Sequence, residues 1–470
     1  MSFLRFTAVS FVPGLLLLLS SAHLLRAQDE SEDKPAVEKS QPGDDSPLYV
    51  LSESEATGRT FAIDYTLEVS GQVEERVPDN ETRKFELNSN AELKYADRHL
   101  PSAGRNEAAL RALRYFDKHQ TNVTIGERET ELMLPSRNRL FVVEGRDFEL
   151  VYYPPSALLS ANVLDQLRIP FDSLASLGLL PKTSVKVGGT WKPEIWALQL
   201  VAGVEAVLKH DCTCTLTNVV GNVALVNFKG SVAGGRFGAS TKVEFEGQFE
   251  FDLDGKYLRD LTVTQKEKST ISPVSPGLDV AANIHFTRKP VDAHKELTDA
   301  RAEEVPLDPD PVRLLLSYDS PWGARLLHTR NWHVIPGKYV ILRLIENGSL
   351  ITQGTMMGLP QASAGEHIPE RKFQEDIVKS LGEKLKEVVS AEEIGTQDGR
   401  FLYRVTATGT ANEREMTWIY YLCAHPDGRQ VSFVFSTETN LLETLNERDL
   451  DLIQTIQWPQ AETPAKAVSQ

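Results

Sequence analysis

From Val243 to Leu253 the chain alternates by type, with only Gly247 out of pattern. Val243, Phe245, Phe249, Phe251 and Leu253 fall on one side; Glu244, Glu246, Gln248, Glu250 and Asp252 fall on the other. A two-residue repeat is the signature of a strand, and one wet face marks an antiparallel sheet. The stretch also constrains the pairing of its neighbour, because a slip of one residue would turn every ring to water. A three-residue loop, Asp254 to Lys256, sets Leu253 opposite Tyr257, Phe249 opposite Leu261 and Glu244 opposite Lys266. A two-residue turn would set Phe249 beside Asp260, so the three-residue register is expected.

The pattern recurs upstream. Phe61, Ile63, Tyr65, Leu67 and Val69 alternate with mostly polar residues, and 85–95 reads as their partner strand. Leu110, Leu113 and Phe116 recur at three-residue steps, which predicts a helix over 106–119. Strands are expected again at 122–134, 140–144 and 148–153. Pro154-Pro155 breaks the sheet, and Ser160 offers an N-cap to a helix through Leu167, ended by Pro170. In the motif Ser184 to Trp191, a Gly188-Gly189 turn leads into a tryptophan that plugs the end of the sheet. Residues 204–288 read as a meander of five strands. Together, 48–288 form an N-terminal curved antiparallel β-sheet domain with packed helices. The Pro- and charge-rich run 289–313 reads as a linker.

A second domain follows over 314–458. Val340, Leu342 and Leu344 alternate ahead of a hairpin turn at Asn347-Gly348. Phe373, Ile377, Leu381, Leu385 and Val388 form one stripe of a helix over 368–388. Strands are expected at 401–410, 416–424 and 430–437, then a closing helix carrying Leu441, Leu445, Leu452 and Ile456. Met416 to Cys423 is apolar on both faces except Thr417, which implies a central strand covered on both sides. The whole chain is therefore expected to be α+β. In the order of these elements, and in Trp332-His333-Val334, Leu350 to Gln353, the Phe373 to Leu381 stripe, Trp418 to Tyr421 and Asp427-Gly428, the second domain resembles the PsbP-like proteins. That group includes the Mog-type Ran-binding and DcrB-like proteins. The chain is also similar to uncharacterised secreted bacterial two-domain proteins. The resemblance implies an antiparallel α/β sandwich with a binding or assembly role, and no catalytic residue to carry over.

Arg5 followed by the apolar run Phe11 to Leu19 and small residues at Ser20-Ser21-Ala22 and Ala27 reads as a signal peptide, cleaved after Ala22 or Ala27. The run is too short to span a bilayer. A secreted or periplasmic protein with no stable membrane span is expected. Residues 28–47 are acidic and polar, and with the tail 459–470 they lack the apolar content to fold. The 50 basic against 66 acidic residues leave a net charge of −16, which argues against nucleic acid as a partner. Cys212, Cys214 and Cys423 do not make a disulfide scaffold.

Few residues suggest chemistry. His210, Cys212 and Cys214 would share one face of a strand and suit zinc or copper if a neighbour added a ligand. The competing reading, that they pack inward, is favoured because the usual zinc spacings are absent. His328, His333, His367 and His425 lie in no ligand-spaced pair. Trp332, Trp418, Tyr420 and Tyr421 could floor a pocket, or fill a core, which is the commoner use of such rings. Asp252 to Gly255 lacks the further acids of a calcium loop. No catalytic residues and no cofactor are assigned.

The expectation is an exported non-enzymatic binding or accessory protein of the bacterial cell envelope, taking an unknown protein or a small apolar ligand. Carriage of a lipid or other apolar ligand in the cup of the N-terminal sheet is the first alternative. A hydrolase with dispersed catalytic residues is the second.

Overall fold

In the computed structural model the described residues are 46–53, 58–76, 81–101, 110–146, 149–396 and 398–459. The expected signal peptide lies outside them, as do 28–45 of the acidic leader and 460–470 of the tail.

Six strands open the chain: β1 (Thr60–Arg76), β2 (Thr82–His99), β3 (Arg111–Ile125), β4 (Arg128–Met133), β5 (Leu140–Arg146) and β6 (Glu149–Tyr153). The chain then leaves the sheet at Pro154-Pro155 and makes β7 (Leu159–Ser160), α1 (Ala161–Leu167), β8 (Thr190–Trp191) and α2 (Ile195–Ala202). Ser160 caps α1, its hydroxyl accepting from the Val163 amide at 3.4 Å. A meander returns to the sheet through β9 (Ala206–His210), β10 (Thr213–Val220), β11 (Val223–Arg236), β12 (Ala239–Asp252), β13 (Tyr257–Ser269) and β14 (Gly277–Val291). The resulting antiparallel sheet has 13 strands in the order β6-β5-β3-β2-β1-β14-β13-β12-β11-β10-β8, with β4 on β3 and β9 on β11. Phe249 lies opposite Leu261 and Glu244 opposite Lys266, as the alternation requires. Nearer the turn a bulge shifts the pairing, so that Asp252, not Leu253, faces Tyr257.

The segment 154–204 lies on the inner face of this sheet. Phe171, Leu174, Ala175, Leu179, Leu198 and Val201 are buried in one apolar cluster with the inward residues of β1, β2, β11 and β12. The Tyr65 hydroxyl donates to the Pro170 carbonyl at 2.7 Å, and the Phe171 ring meets Phe228 and Phe245 at 5.8 and 5.5 Å.

The outer face is covered in part. Residues 289–313, read from sequence as a linker, begin in the last residues of β14 and run on through α3 (Asp299–Glu303). Leu297 and Val305 are buried there against Ala96, Leu113, Val142 and Tyr153. Arg98 donates to the Leu297 carbonyl at 2.9 Å and Arg111 to the Pro306 carbonyl at 2.5 Å. The connection is thus a packed strap.

The remaining strands are β15 (Leu316–Asp319), β16 (Arg325–His328), β17 (Trp332–Ile335), β18 (Val340–Glu346), β19 (Ser349–Gly358), β20 (Leu385–Glu393), β21 (Phe401–Ala411), β22 (Arg414–Ala424) and β23 (Gln430–Glu438). Helix α4 (Glu370–Leu381) precedes β20, and α5 (Leu442–Leu445) and α6 (Arg448–Gln454) follow β23. Seven strands form one antiparallel sheet in the order β17-β18-β19-β23-β22-β21-β20. β22 is covered on both faces, Tyr421 and Cys423 on one and Trp418 and Leu422 on the other. The turn at Asn347-Gly348 takes φ of +47° and +76°, the left-handed backbone such a hairpin needs. β15 pairs β16 and, in parallel, β7, tying the second part of the chain to the segment held in the first. Arg330 adds a bond to the Tyr152 carbonyl at 2.9 Å.

The expected α+β class, a sheet with packed helices followed by an α/β sandwich, is corrected. The described chain is mostly antiparallel strand in large sheets, and its longest helix has 12 residues. Two predicted helices explain the error. Leu113 and Phe116, assigned to a helix over 106–119, lie on β3; Leu113 is buried under the strap and Phe116 faces the inner cluster. A strand buried on both faces shows apolar residues at helix-like steps. In the same way the stripe over 368–388 runs past the end of its helix: α4 stops at Leu381, Gly382 takes φ +52°, and Leu385 and Val388 belong to β20. The closing helix is broken at Asn446 and Glu447, both at positive φ.

Replacing Leu297 by Ala should lower stability by about 2–5 kcal/mol, the usual cost of such a cavity. The same change should expose 289–313 to protease before the sheets unfold. Urea midpoints and limited proteolysis measure both effects.

Candidate functional site

The inner face of the 13-stranded sheet is the place where this fold brings distant residues together. Along β3 the inward positions are Ala112, Arg114 and Phe116, so the alternation that builds the apolar face also drives one guanidinium into it. Arg114 has no solvent exposure. Its Nε and Nη2 donate to the two carboxylate oxygens of Asp97 on β2 at 2.6 and 2.7 Å. Its Nη1 and Nη2 donate to Asp172 in the held segment at 2.5 and 3.1 Å. The Tyr152 hydroxyl donates to Asp172 at 3.0 Å, the Leu174 amide does so at 2.8 Å, and the Tyr95 hydroxyl donates to Ser173 at 2.9 Å. Arg114 also stacks on the Tyr95 ring at 4.3 Å.

Burial alone would raise the Asp172 carboxyl, but Arg114 and the donated hydrogen bonds outweigh it and hold it below its ordinary range. Burial pushes the Tyr95 and Tyr152 hydroxyls well up. The group is therefore fixed as ionised carboxylate, guanidinium and neutral phenols. A second buried pair closes the rim: Arg288 on β14 grips Glu53 with two bonds of 2.7 Å. Burial alone would raise Glu53, but Arg288 outweighs it, so it too stays ionised. His99 beside them is pushed down, by burial first and then by Arg288.

Farther along the same face lie Thr121 on β3, Thr241 on β12 and Gln265 on β13. Each is buried, and their side-chain polar atoms have no hydrogen-bond partner among the described residues. Arg236 and Glu267 meet there at 3.0 Å.

The structure separates most residues the sequence put forward. Cys212 and Cys214 are fully buried free thiols on the inner face, and hydrogen bonding with Cys212 raises the Cys214 thiol, with burial adding to it. His210 lies at the end of β9, half-buried. Among the described residues no group of three or more His, Cys, Asp and Glu could hold a metal ion. His328 and His333 are buried, His367 stacks on Phe401 at 3.5 Å, and His425 sits 2.9 Å from Asp427; the four do not converge. Trp332 and Tyr421 pack on one face of the second sheet, Trp418 and Tyr420 on the other, so no common pocket floor exists. Sequence reasoning missed Arg114, Asp97 and Asp172; the two acids stand 17 and 58 residues from the arginine. The signal was present: a single acid inside the apolar run Ile169 to Leu180, and a single arginine between Ala112 and Phe116.

No protein-family model matches the chain, and no curated protein matches it. Among solved structures, a PsbP from the cyanobacterium Synechocystis sp. PCC 6803 is similar over 31% of this chain and 92% of its own, at 15% identity and TM-score 0.24. Lipovitellin is similar over 51% of this chain and 25% of its own, at 10% identity and TM-score 0.29. An outer-membrane channel from Pseudomonas putida F1 is similar over 85% of this chain and 99% of its own, at 8% identity and TM-score 0.14. At these scores none of the three carries an argument about this chain. Among the described residues no helix is long and apolar enough to cross a membrane, which says nothing of strands.

Arg114→Met should cost about 3–5 kcal/mol, because it leaves two carboxylates buried without their cation. Adding Asp97→Asn and Asp172→Asn should restore part of the loss, and a urea-denaturation cycle over the three variants reads the coupling. Acid should act through the same groups. The folded pKa values of Asp172, Glu53 and His99 lie below their ordinary 3.8, 4.5 and 6.5, so the unfolded chain takes up protons first as pH falls. Their contribution is complete above those values and is lost as pH drops through the folded ones. Denaturation midpoints should begin to fall below about pH 6.5 and fall more steeply below 4.5.

Proposed function

We propose that this chain is an exported, non-catalytic binding protein of the bacterial cell envelope, whose second domain is a relative of the PsbP-like proteins and whose large sheet bears the ligand or partner. The observation that carries this reading is the pairing of the buried acids on the inner face, Asp97 and Asp172 with Arg114 and Glu53 with Arg288. A general acid or base works with a pKa near the operating pH. Asp172 and Glu53 are instead held ionised beside arginines, and Tyr95 and Tyr152 are held neutral. Such groups serve as fixed structural charges, which favours a binding scaffold over a hydrolase with dispersed residues. The leader pattern Arg5, Phe11 to Leu19 and Ala22 or Ala27 supports export, and the order of strands and helices from Trp332 to Ile456 supports the family reading.

The test is to isolate the protein from the envelope of the producing cell and analyse it by native mass spectrometry and amino-terminal sequencing. The reading predicts a chain beginning at His23 or Gln28 that carries a bound species in fixed stoichiometry. An intact leader with no co-isolated protein or small molecule would contradict it.

A further inference from the structure

Two groups of contacts join the two large sheets, and they are built differently. On one side β15 pairs with β7 of the held segment, Leu316 opposite Leu159 and Ser317 opposite Ser160. Arg330, just past β16, donates to the Tyr152 carbonyl there at 2.9 Å. On the other side the first sheet offers only its turns. The β11–β12 turn, Phe237-Gly238, stands against the β18–β19 turn, Asn347-Gly348; a Cβ on Gly238 would lie 3.0 Å from the Gly348 carbonyl oxygen. The Phe237 ring meets the His333 ring of β17 edge-on at 5.2 Å, and the Arg168 guanidinium lies over it at 5.8 Å. Arg343 of β18 donates to the Pro273 carbonyl in the loop between β13 and β14.

Phe237 is a costly residue for its turn. A two-residue hairpin turn of this kind needs positive φ at both positions, which Asn and Gly take readily and a bulky ring does not. Phe237 takes φ +51° and Gly238 +77°. Glu205 holds the turn from the side of the first sheet, accepting from the Phe237 amide at 3.1 Å. Strain of this sort persists where the side chain gains something from its place. What the Phe237 ring gains is the contact with His333.

No shared core backs these turn contacts. The apolar residues of the seven-stranded sheet form clusters of their own. Of the described residues beyond 315, the buried cluster of the first sheet takes in Leu316 alone, and Leu316 lies on the β15 side. Two bodies without a large apolar interface move against each other unless something fastens them.

We propose that the two domains form a hinged pair, pivoting on β15 and β7 and latched by Phe237 against His333. Opening frees the rim of the larger sheet made by the β11–β12 turn and the β13–β14 loop, and leaves each sheet with its own core. The hinge is independent of what either domain binds, so it goes beyond the binding reading.

The test is a distance measurement by pulsed electron spin resonance on the purified full chain, with spin labels at S240C and S349C. Both positions are exposed and flank the latch, whereas Cys212, Cys214 and Cys423 are fully buried and stay unlabelled. The parent should show a dominant short distance and a minor longer one. F237N, whose asparagine suits the positive φ, should raise the open-to-closed ratio about tenfold through loss of one ring pair and one cation–π contact. Its thermal midpoint should stay level or rise, because the strain is relieved. H333A removes the partner ring, leaves the strained turn in place, and should lengthen the distance in the same way. F237Y keeps the ring and should keep the short distance. A short distance unchanged in both F237N and H333A would overturn the proposal. So would a long distance that appears only when near-ultraviolet circular dichroism shows the sheets themselves unfolding.

Discussion

One guanidinium decides how the larger sheet is filled. Arg114 stands on an inward position of β3, where an apolar side chain would be the ordinary choice, and takes Asp97 from the adjacent strand and Asp172 from the segment lying on the sheet. A buried cation and two buried carboxylates are each costly alone, so each is stable only when all are in place. The hydrophobic contacts of Phe171, Leu174 and Leu179 supply most of the driving force for docking, but such contacts are tolerant of sliding. The Arg114 bonds are not, since they fix both direction and distance. Tyr152, Tyr95, Ser173 and the Leu174 amide then have only one arrangement in which their polar atoms are satisfied.

From that anchor the rest of the architecture follows. With 154–204 seated at one end of the inner face, its β7 edge is presented outward and takes β15, so the second sheet is attached through the very segment the first one holds. The strap on the opposite face uses Arg98 and Arg111, arginines of the same two strands, to hold its carbonyls. β2 and β3 are therefore loaded on both faces, with charge near the middle and apolar contacts around it.

Much of this could be read in the residues. The alternation of β12 and its pairing with β13 away from the turn, the run of β1 on β2, the break at Pro154-Pro155, the Ser160 cap and the Asn347-Gly348 turn all follow from local chemistry, and all are present. What could not be read was cover. A strand with one wet face announces itself, whereas β3 has a strap on one side and a packed segment on the other, and its apolar residues lost their two-residue spacing. The α4 stripe continued into β20 because Leu385 and Val388 fell by chance at helical steps, and only the backbone turn at Gly382 separates them. The Arg114 cluster was missed for a different reason: each member stands out against its apolar neighbours, but they are far apart in the chain and nothing local says that they meet.

Hydrogen exchange tests the central claim, that Arg114 makes the held segment and the sheet one cooperative unit. Measured residue by residue under native conditions, amides of α1 and α2 should open only with β2 and β3, with the same free energy and the same denaturant dependence. Exchange of 161–202 through a separate, low-energy opening while β2 and β3 stay protected would contradict it.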